Sequence, residues 1–270
     1  MTIWTCATCA IEHTDTPEPP PSCAICEDER QWVPPGGQRW TTRDELASAG
    51  HRIEVREVET DLYEVGCTPQ LGIGQRGLLL RTPAGNLLWE PPGFIDPEGV
   101  AAVAALGGVH VVTASHPHLT GSSVQWSHAF DDAPVYVAAD DQQWIRRPDP
   151  VLRLWEGEVE LLPGVVMHQT GGHFAGSSLV HWAAGADGRG ALLTGDTIAV
   201  GADRSVHVMR SFPNFIPLPE RMVRRILDVT LPLAFERVYG AFRTVEADGH
   251  AVVEQSLERY IRWLRGEEPE

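Results

Sequence analysis

The amino-acid sequence predicts an α/β protein in which two sheets have helices outside them, preceded by a small metal-binding module. From about residue 51, short apolar strands come in groups that helices interrupt. Ahead of these strands, four cysteines lie in two close pairs. These two observations divide the chain into a module and linker over residues 1–36 and a main domain over residues 37–270.

Composition limits the functions that the chain can have. Of its 270 residues, 43% are hydrophobic, which is enough to bury a sizeable core, and the formal net charge is −16. Nucleic acids and anionic membranes need basic surfaces, so we expect neither as a partner. The sequence contains no lysine, which excludes Schiff-base chemistry and a phosphate-loop lysine. No signal-peptide pattern or long apolar stretch is present, so a cytoplasmic location is expected.

The four N-terminal cysteines have the spacing of metal ligands. Cys6 and Cys9 form one C-x-x-C pair, and Cys23 and Cys26 form a second. Each pair can turn two thiolates toward one metal ion, and four thiolates complete a tetrahedral site. The polar, proline-rich segment 11–22 could not build a core without help. We therefore expect a structural zinc site, with iron in a rubredoxin-like centre as the alternative, because four thiolates also suit iron.

Apolar periodicity and turn signals predict the elements of the main domain in order. Strands are predicted over residues 51–58, 61–65, 75–82, 86–89, 109–114, 135–138, 151–155, 159–162, 165–168, 179–183 and 191–194. Helices are predicted over residues 97–106, 122–130, 140–147, 218–229 and 249–265. The last helix carries one apolar stripe that we expect to pack in the core, formed by Val253, Leu257, Ile261 and Leu264.

Three histidines and an aspartate follow predicted strands. His116 and His118 come directly after the strand over 109–114, and residues two apart on an extended strand share a face. Two imidazoles there can hold one transition metal from one side. His173 lies on a glycine-rich turn, and Asp196 ends the apolar run that begins at residue 191. The sequence therefore predicts a metal site built at strand ends.

The order of these motifs resembles that of the metallo-β-lactamase superfamily, over roughly residues 51–243. The superfamily carries H-x-H-x-D-H, then G-G-H-x-x-G-S, then T-G-D, then a last histidine. His116 and His118 match the first motif, His173 matches the second and Asp196 matches the third. The resemblance implies an αβ/βα four-layer sandwich with zinc or iron on the three histidines. Asp196 would either be a ligand or accept a proton from bound water.

A further acidic residue enters through the same resemblance. Glu90 stands at a strand end where the superfamily has an early acidic residue. It would hold a ligand histidine in place without binding the metal ion itself.

Two departures from the superfamily pattern bear on function. Thr120 and Gly121 replace the Asp-His half of the first motif, and no histidine lies at residues 238–242, where the last one should fall. In the superfamily those residues hold a second metal. The resemblance therefore implies a metal-dependent hydrolase whose site is mononuclear or very weak at the second metal position. It would use a metal-bound hydroxide on an ester, thioester, lactone or similar bond of a small molecule. The alternative is a non-hydrolytic metal-binding protein, or an iron redox protein with the four-cysteine site as its electron-transfer centre.

Overall fold

A computed structural model of the chain describes residues 1–267, which form two compact units. The first unit ends at Trp155 and the second begins at Glu156. Each unit is a mixed α/β structure with its own large sheet and its own apolar core. Within the described residues, no helix is long and apolar enough to cross a membrane.

The first unit is organised around a seven-stranded sheet in the order β3-β4-β5-β6-β7-β8-β9. Neighbouring strands are antiparallel from β3 to β6 and parallel from β6 to β9. The strands are β1 (Thr5–Cys6), β2 (Trp40–Thr41), β3 (Arg52–Glu59), β4 (Leu62–Thr68), β5 (Gly77–Thr82), β6 (Gly85–Trp89), β7 (Val111–Thr113), β8 (Val135–Ala138) and β9 (Leu152–Trp155). The helices are α1 (Arg43–Ser48), α2 (Pro97–Ala105) and α3 (Ser123–His128), with 3-10 turns over Pro117–Leu119 and Ala139–Trp144.

The central strands of this sheet are apolar on both faces. Leu79 in β5 and Leu88 in β6 are fully buried, and so are the residues on either side of each. Continuous apolar runs of this kind are typical of strands that are covered on both sides. Asp96 joins α2 to the edge of the sheet: it caps the helix by accepting from the Gly99 N–H at 2.6 Å and also accepts from the Ile53 N–H at 3.0 Å.

The second unit has a six-stranded sheet in the order β10-β11-β12-β13-β18-β19, antiparallel except for the β13–β18 pair. Its strands are β10 (Glu158–Leu162), β11 (Val165–Gln169), β12 (Ser178–Trp182), β13 (Ala191–Gly195), β14 (Ala199–Val200), β15 (Val206–His207), β16 (Met209–Ser211), β17 (Ile216–Pro217), β18 (Arg237–Gly240) and β19 (Thr244–Val245). Its helices are α4 (Gly185–Gly188), α5 (Glu220–Thr230) and α6 (Gly249–Arg265).

The apolar stripe of α6 matches its prediction except at its last member. Val253, Leu257 and Ile261 are buried in the core of the second unit, together with Ile226 of α5. Leu264, however, is 41% exposed, because it lies in the final turn of the helix, beyond that core. The expectation that Leu264 packs in the core is therefore wrong.

The chain leaves the extended conformation earlier than we expected near the histidine pair. Strand β7 ends at Thr113, and Pro117 begins a 3-10 turn that contains His118. His116 itself is extended, so the two histidines are not alternate residues of one strand. The sequence argument from strand periodicity is wrong here, because proline at the start of a turn supplies a fixed φ and redirects the chain.

Candidate metal centres

The four N-terminal cysteines form a compact buried cluster in the first unit. The Sγ atoms of Cys6 and Cys26 lie 3.5 Å apart, and those of Cys9 and Cys23 lie 3.8 Å apart. Thiolates around a tetrahedral zinc ion with Zn–S bonds of about 2.3 Å are separated by roughly 3.8 Å, whereas a disulfide bond is about 2.05 Å long. The cluster therefore has the spacing of a four-thiolate metal site and not of two disulfides.

Side chains outside the two C-x-x-C pairs support the thiols. Gln38 Nε2 donates to Cys6 Sγ at 3.1 Å. Hydrogen bonds with Cys26, Cys6 and Cys9, and a weaker one with His13, hold the pKa of the Cys23 thiol far below its usual value. A thiolate is the form that binds a metal ion, so this lowered pKa favours metal binding by the cluster.

His116 and His118 form a buried pair in the same unit. Their rings are 5.0 Å apart between centroids in an edge-to-face arrangement, and each ring offers a ligand nitrogen within 4.8 Å of the other. Exposure is 3% for His116 and 1% for His118. Two imidazoles this close and this dry can share one metal ion as ligands.

A hydrogen-bonded chain fixes the tautomer of His116. Ser115 Oγ donates to Glu90 Oε1 at 2.5 Å and lies 2.8 Å from His116 Nδ1. Because the serine proton goes to Glu90, the serine oxygen accepts from the Nδ1–H of His116. The lone pair of a neutral His116 then resides on Nε2, the nitrogen that can bind a metal ion. Glu90 thus reaches His116 through Ser115, a residue that the motif comparison did not single out although it precedes His116 directly.

His173 lies in the second unit on a tight loop between β11 and β12. Ser177 closes this loop: its Oγ accepts from the Phe174 N–H at 2.8 Å, and its carbonyl accepts from the Gly171 N–H. His173 is 2% exposed, and its Nδ1 is 3.1 Å from the carbonyl oxygen of Met209. A carbonyl only accepts, so Nδ1 carries the proton and Nε2 the lone pair. No sequence signal could have identified a backbone carbonyl as this partner.

Asp196 follows β13 in the second unit, in a turn held by threonines. The Thr197 N–H donates to the Thr194 carbonyl at 3.0 Å, and Thr194 Oγ1 donates to the Ile198 carbonyl at 2.7 Å. The aspartate is 8% exposed, and burial raises the pKa of its carboxyl to about 7. A buried carboxyl that titrates near neutral pH can exchange a proton at physiological pH.

Thr120 and Gly121, which replace the Asp-His half of the superfamily motif, lie between the 3-10 turn that contains His118 and helix α3. Gly121 has a φ of +49°, and a Cβ atom at this residue would lie 2.0 Å from the carbonyl oxygen of Pro91. No larger side chain fits there without moving the backbone. Thr120 instead turns its hydroxyl to the Pro117 carbonyl, which it reaches at 3.1 Å.

Solved structures of metallo-β-lactamases are similar to this chain. The DIM-1 metallo-β-lactamase aligns with a TM-score of 0.57 at 12% identity, over 77% of this chain and 98% of its own. The FIM-1 enzyme from Pseudomonas aeruginosa, described in a mono-zinc form, aligns with a TM-score of 0.55 at 14% identity, over 77% and 96%. A B3 metallo-β-lactamase with an active-site glutamic acid aligns with a TM-score of 0.53 at 16% identity, over 79% and 89%. The chain has the metallo-β-lactamase fold, as its motifs predicted.

A curated relative is similar over nearly the whole sequence. The uncharacterized protein YmaE of Bacillus subtilis (strain 168) is 39% identical over 271 residues, which span 99% of this chain and 98% of the relative. No family model matches the sequence. The chain belongs to the same family as YmaE.

Proposed function

We propose that this protein is a metal-dependent hydrolase in which His116, His118 and His173 bind one zinc or iron ion, with Asp196 as a further ligand or proton acceptor. The observation that carries the proposal is the Glu90–Ser115–His116 chain, which orients a buried histidine for metal binding. Metal-binding histidines are commonly held in this way through their second nitrogen. The fold and the order of the motifs support the same assignment.

In this proposal each residue has a separate task. A metal ion on the three histidines would act as a Lewis acid and lower the pKa of a bound water from about 15.7 to about 7. Ser115 and Glu90 keep His116 in one tautomer. Met209 does the same for His173 through its carbonyl oxygen. Asp196, with a pKa of about 7, accepts or returns a proton near neutral pH while a small-molecule ester, thioester or lactone is cleaved.

We propose further that the catalytic site is mononuclear. The support is steric: the backbone at Gly121 leaves no room for a ligand side chain, and the segment 238–242 contains no histidine. FIM-1, which has the same fold, is described in a mono-zinc form. One metal ion is therefore compatible with this fold.

The four-cysteine module has a structural role in this proposal. Its sulfur spacing supports a zinc ion that organises residues 1–36 ahead of a hydrolase domain over 37–270. All five cysteines are free thiols. Free thiols suit a reducing compartment, so we propose that the protein acts in the cytoplasm.

Metal analysis combined with a hydrolase panel tests this function. We expect the purified protein to be colourless, to hold one metal ion per histidine site and to cleave at least one generic ester, thioester or lactone until a chelator is added. The variant His116→Ala/His173→Ala should lose that metal ion and the activity while the cysteine-bound metal stays. The control His128→Ala/His250→Ala changes two partly exposed histidines. It should keep the metal ion of the histidine site and the activity.

Two results would contradict the proposal. One is an unchanged metal content in His116→Ala/His173→Ala. The other is the absence of chelator-sensitive turnover on every substrate class, which would favour a metal-binding protein without hydrolysis. If the oxidised protein is red and holds about one iron ion per four cysteines, the cysteine site is an electron-transfer centre and not a structural zinc site.

A further inference from the structure

We propose that the four-cysteine module positions the histidine pair, so that a metal ion bound by the cysteines strengthens metal binding by His116 and His118. This inference rests on the proposed function, because it concerns the same histidine site. Its evidence lies in two sets of contacts within the first unit. Each set begins next to the first C-x-x-C pair and ends next to one of the two histidines.

The first set of contacts joins the module to the segment that carries Glu90. Ala10 directly follows Cys9, adopts a left-handed φ of 62° and donates its N–H to the Cys6 carbonyl at 2.8 Å. Its own carbonyl oxygen lies against Gly93, where an added Cβ atom would come within 2.2 Å of it. Two prolines separate Gly93 from Glu90, and proline restricts backbone rotation. The position of Ala10 is therefore transmitted to Glu90, which holds His116 through Ser115.

The second set of contacts joins the module to the chain that follows His118. The Glu12 N–H donates to the Gly121 carbonyl at 3.1 Å, and Glu12 Oε1 accepts from the Val124 N–H at 2.6 Å. The other carboxylate oxygen of Glu12 is paired with the guanidinium of Arg147. Glu12 is only 3% exposed, so these bonds are made in a dry environment. They fix the start of α3 directly after the turn that contains His118.

The module cannot hold this position by apolar packing alone. Apart from its cysteines, its buried core consists of Ile11 and Ile25, with Trp40 and Trp144 partly buried against them. So small a core cannot offset the conformational entropy of ordering the segment, and metal binding supplies the missing free energy in modules of this kind. A filled cysteine site therefore orders Ala10 and Glu12, and they in turn order the segments that carry the two histidines.

Coupling of this kind is reciprocal. If metal at the cysteines raises the affinity of the histidine site by some factor, metal at the histidine site must raise the affinity of the cysteine site by the same factor. Glu12 is a positioning residue in this scheme and takes no part in the reaction.

Cobalt titration of the full chain tests the coupling, because the two sites have different spectra. Cobalt bound by four thiolates shows sulfur-to-metal charge-transfer bands that cobalt on histidines lacks. We expect Glu12→Gln to weaken cobalt binding at the histidine site about 10-fold, with the thiolate bands intact and the d–d bands of the histidine site altered in shape. Glu12→Ala should weaken it further, because glutamine still accepts from Val124 and alanine does not.

The control is Glu64→Gln. Glu64 lies in the same unit as Glu12 and also pairs with an arginine, Arg56, at 2.9 Å. The control should leave both sites unchanged. The variant His116→Ala/His118→Ala should bind cobalt at the cysteines more weakly than the unaltered protein does when its histidine site is filled. Unchanged histidine-site affinity in Glu12→Gln, with the thiolate bands present, would overturn the coupling. Absence of any histidine-dependent cobalt signal in the unaltered protein would instead overturn the proposed function.

If Glu12→Gln loses the thiolate bands as well, a second variant, Gly93→Ala, tests the coupling. Gly93→Ala introduces a methyl group where Ala10 already lies, whereas Gly66→Ala places one 3.8 Å from its nearest neighbour in β4. Neither glycine has a positive φ, so neither substitution places alanine in a left-handed conformation. Weaker cobalt binding by the histidines in Gly93→Ala but not in Gly66→Ala supports the coupling. Equal affinities in the two variants contradict it.

Discussion

Ser115 determines which nitrogen of His116 can bind a metal ion. Its hydroxyl both accepts from Nδ1–H and donates to Glu90, and these two bonds are made inside a buried network. A serine hydroxyl is suited to this position because one small group serves as donor and acceptor at once. The orientation of the histidine therefore depends on a residue that binds no metal itself.

Replacing Ser115 by alanine should weaken metal binding without removing it. Alanine deletes both bonds, so His116 can rotate and exchange tautomers, and loss of such a partner typically costs about 10- to 100-fold in metal affinity. Competition with a chromophoric chelator measures the change. Ser205→Ala, which removes an exposed hydroxyl bonded to Asp203, is the control and should bind metal normally. Equal affinity in the two variants would argue against the role of Ser115.

The raised pKa of Asp196 predicts how the stability of the metal-free protein depends on pH. Burial raises this pKa from 3.8 to about 7, so the folded state holds a proton that the unfolded state has released between these pH values. Stability should therefore fall as pH rises from about 4 to about 7, by at most a few kcal/mol. Asp196→Asn removes the buried charge, so after chelation it should be more stable than the unaltered protein at pH 8 and equally stable at pH 4.

Denaturant unfolding at the two pH values measures this difference. Glu220→Gln is a control of opposite sign, because Arg265 and Arg224 hold the pKa of Glu220 at about 2, and removing its charge should not stabilise the protein at pH 8. If Asp196→Asn and the unaltered protein have the same stability at both pH values, burial does not raise the pKa of the Asp196 carboxyl.

Individual site residues were only partly predictable. The histidines and Asp196 stand in short motifs, so their neighbours along the chain indicate that they are candidate site residues. Glu12 could not be found in this way, because it lies in a polar, proline-rich stretch and its partner Arg147 is distant in sequence. A buried carboxylate is recognised only when the charge that pairs with it is known.

At the scale of elements, helix α6 carries both a buried and a partly exposed leucine on a single apolar stripe. Leu257 is fully buried in the core of the second unit, whereas Leu264 is 41% exposed two turns later. Both residues are leucines on the same helix and differ chiefly in what surrounds them. The helix thus offers a comparison in which helix propensity is constant and only burial changes.

Leu257→Ala should destabilise the protein by about 2–5 kcal/mol, because it removes buried methyl groups and leaves a cavity. Leu264→Ala should change the free energy of unfolding by no more than about 0.5 kcal/mol, since Leu264 is 41% exposed and lies beyond the core. Urea unfolding followed by tryptophan fluorescence measures both. Similar losses for the two variants would show that the stripe stabilises the helix along its whole length.

Long elements were predicted better than short ones. The hairpin β5–β6 lies close to its predicted bounds because two apolar runs flank a clear turn signal at residues 83–85. Helix α6 has its predicted bounds because it carries an apolar stripe with the helical period. Helix α1 was missed although Thr42 and Glu45 form a capping box, which is visible in the sequence. Strands β14 to β17 have only two or three residues each, which is too short for an alternation of apolar and polar residues to be recognised.

For the whole molecule, the order of motifs predicted the metallo-β-lactamase fold that the solved structures confirm. The cluster of four cysteines was equally predictable from its spacing. The contacts of the N-terminal module with Gly93, Gly121 and Val124 were not, because each of them involves a backbone group. Backbone carbonyls are common to all residues, so sequence alone does not indicate which of them meet. The division at residues 36 and 37 stays a prediction.

The close approach of Ala10 to Gly93 also constrains how this protein can evolve. While the module is present, the backbone of Ala10 occupies the space that any side chain at position 93 would need. A lineage that lost the four cysteines and the segment between them would release that position from selection for glycine. Along a lineage, loss of the module should therefore precede any substitution of Gly93.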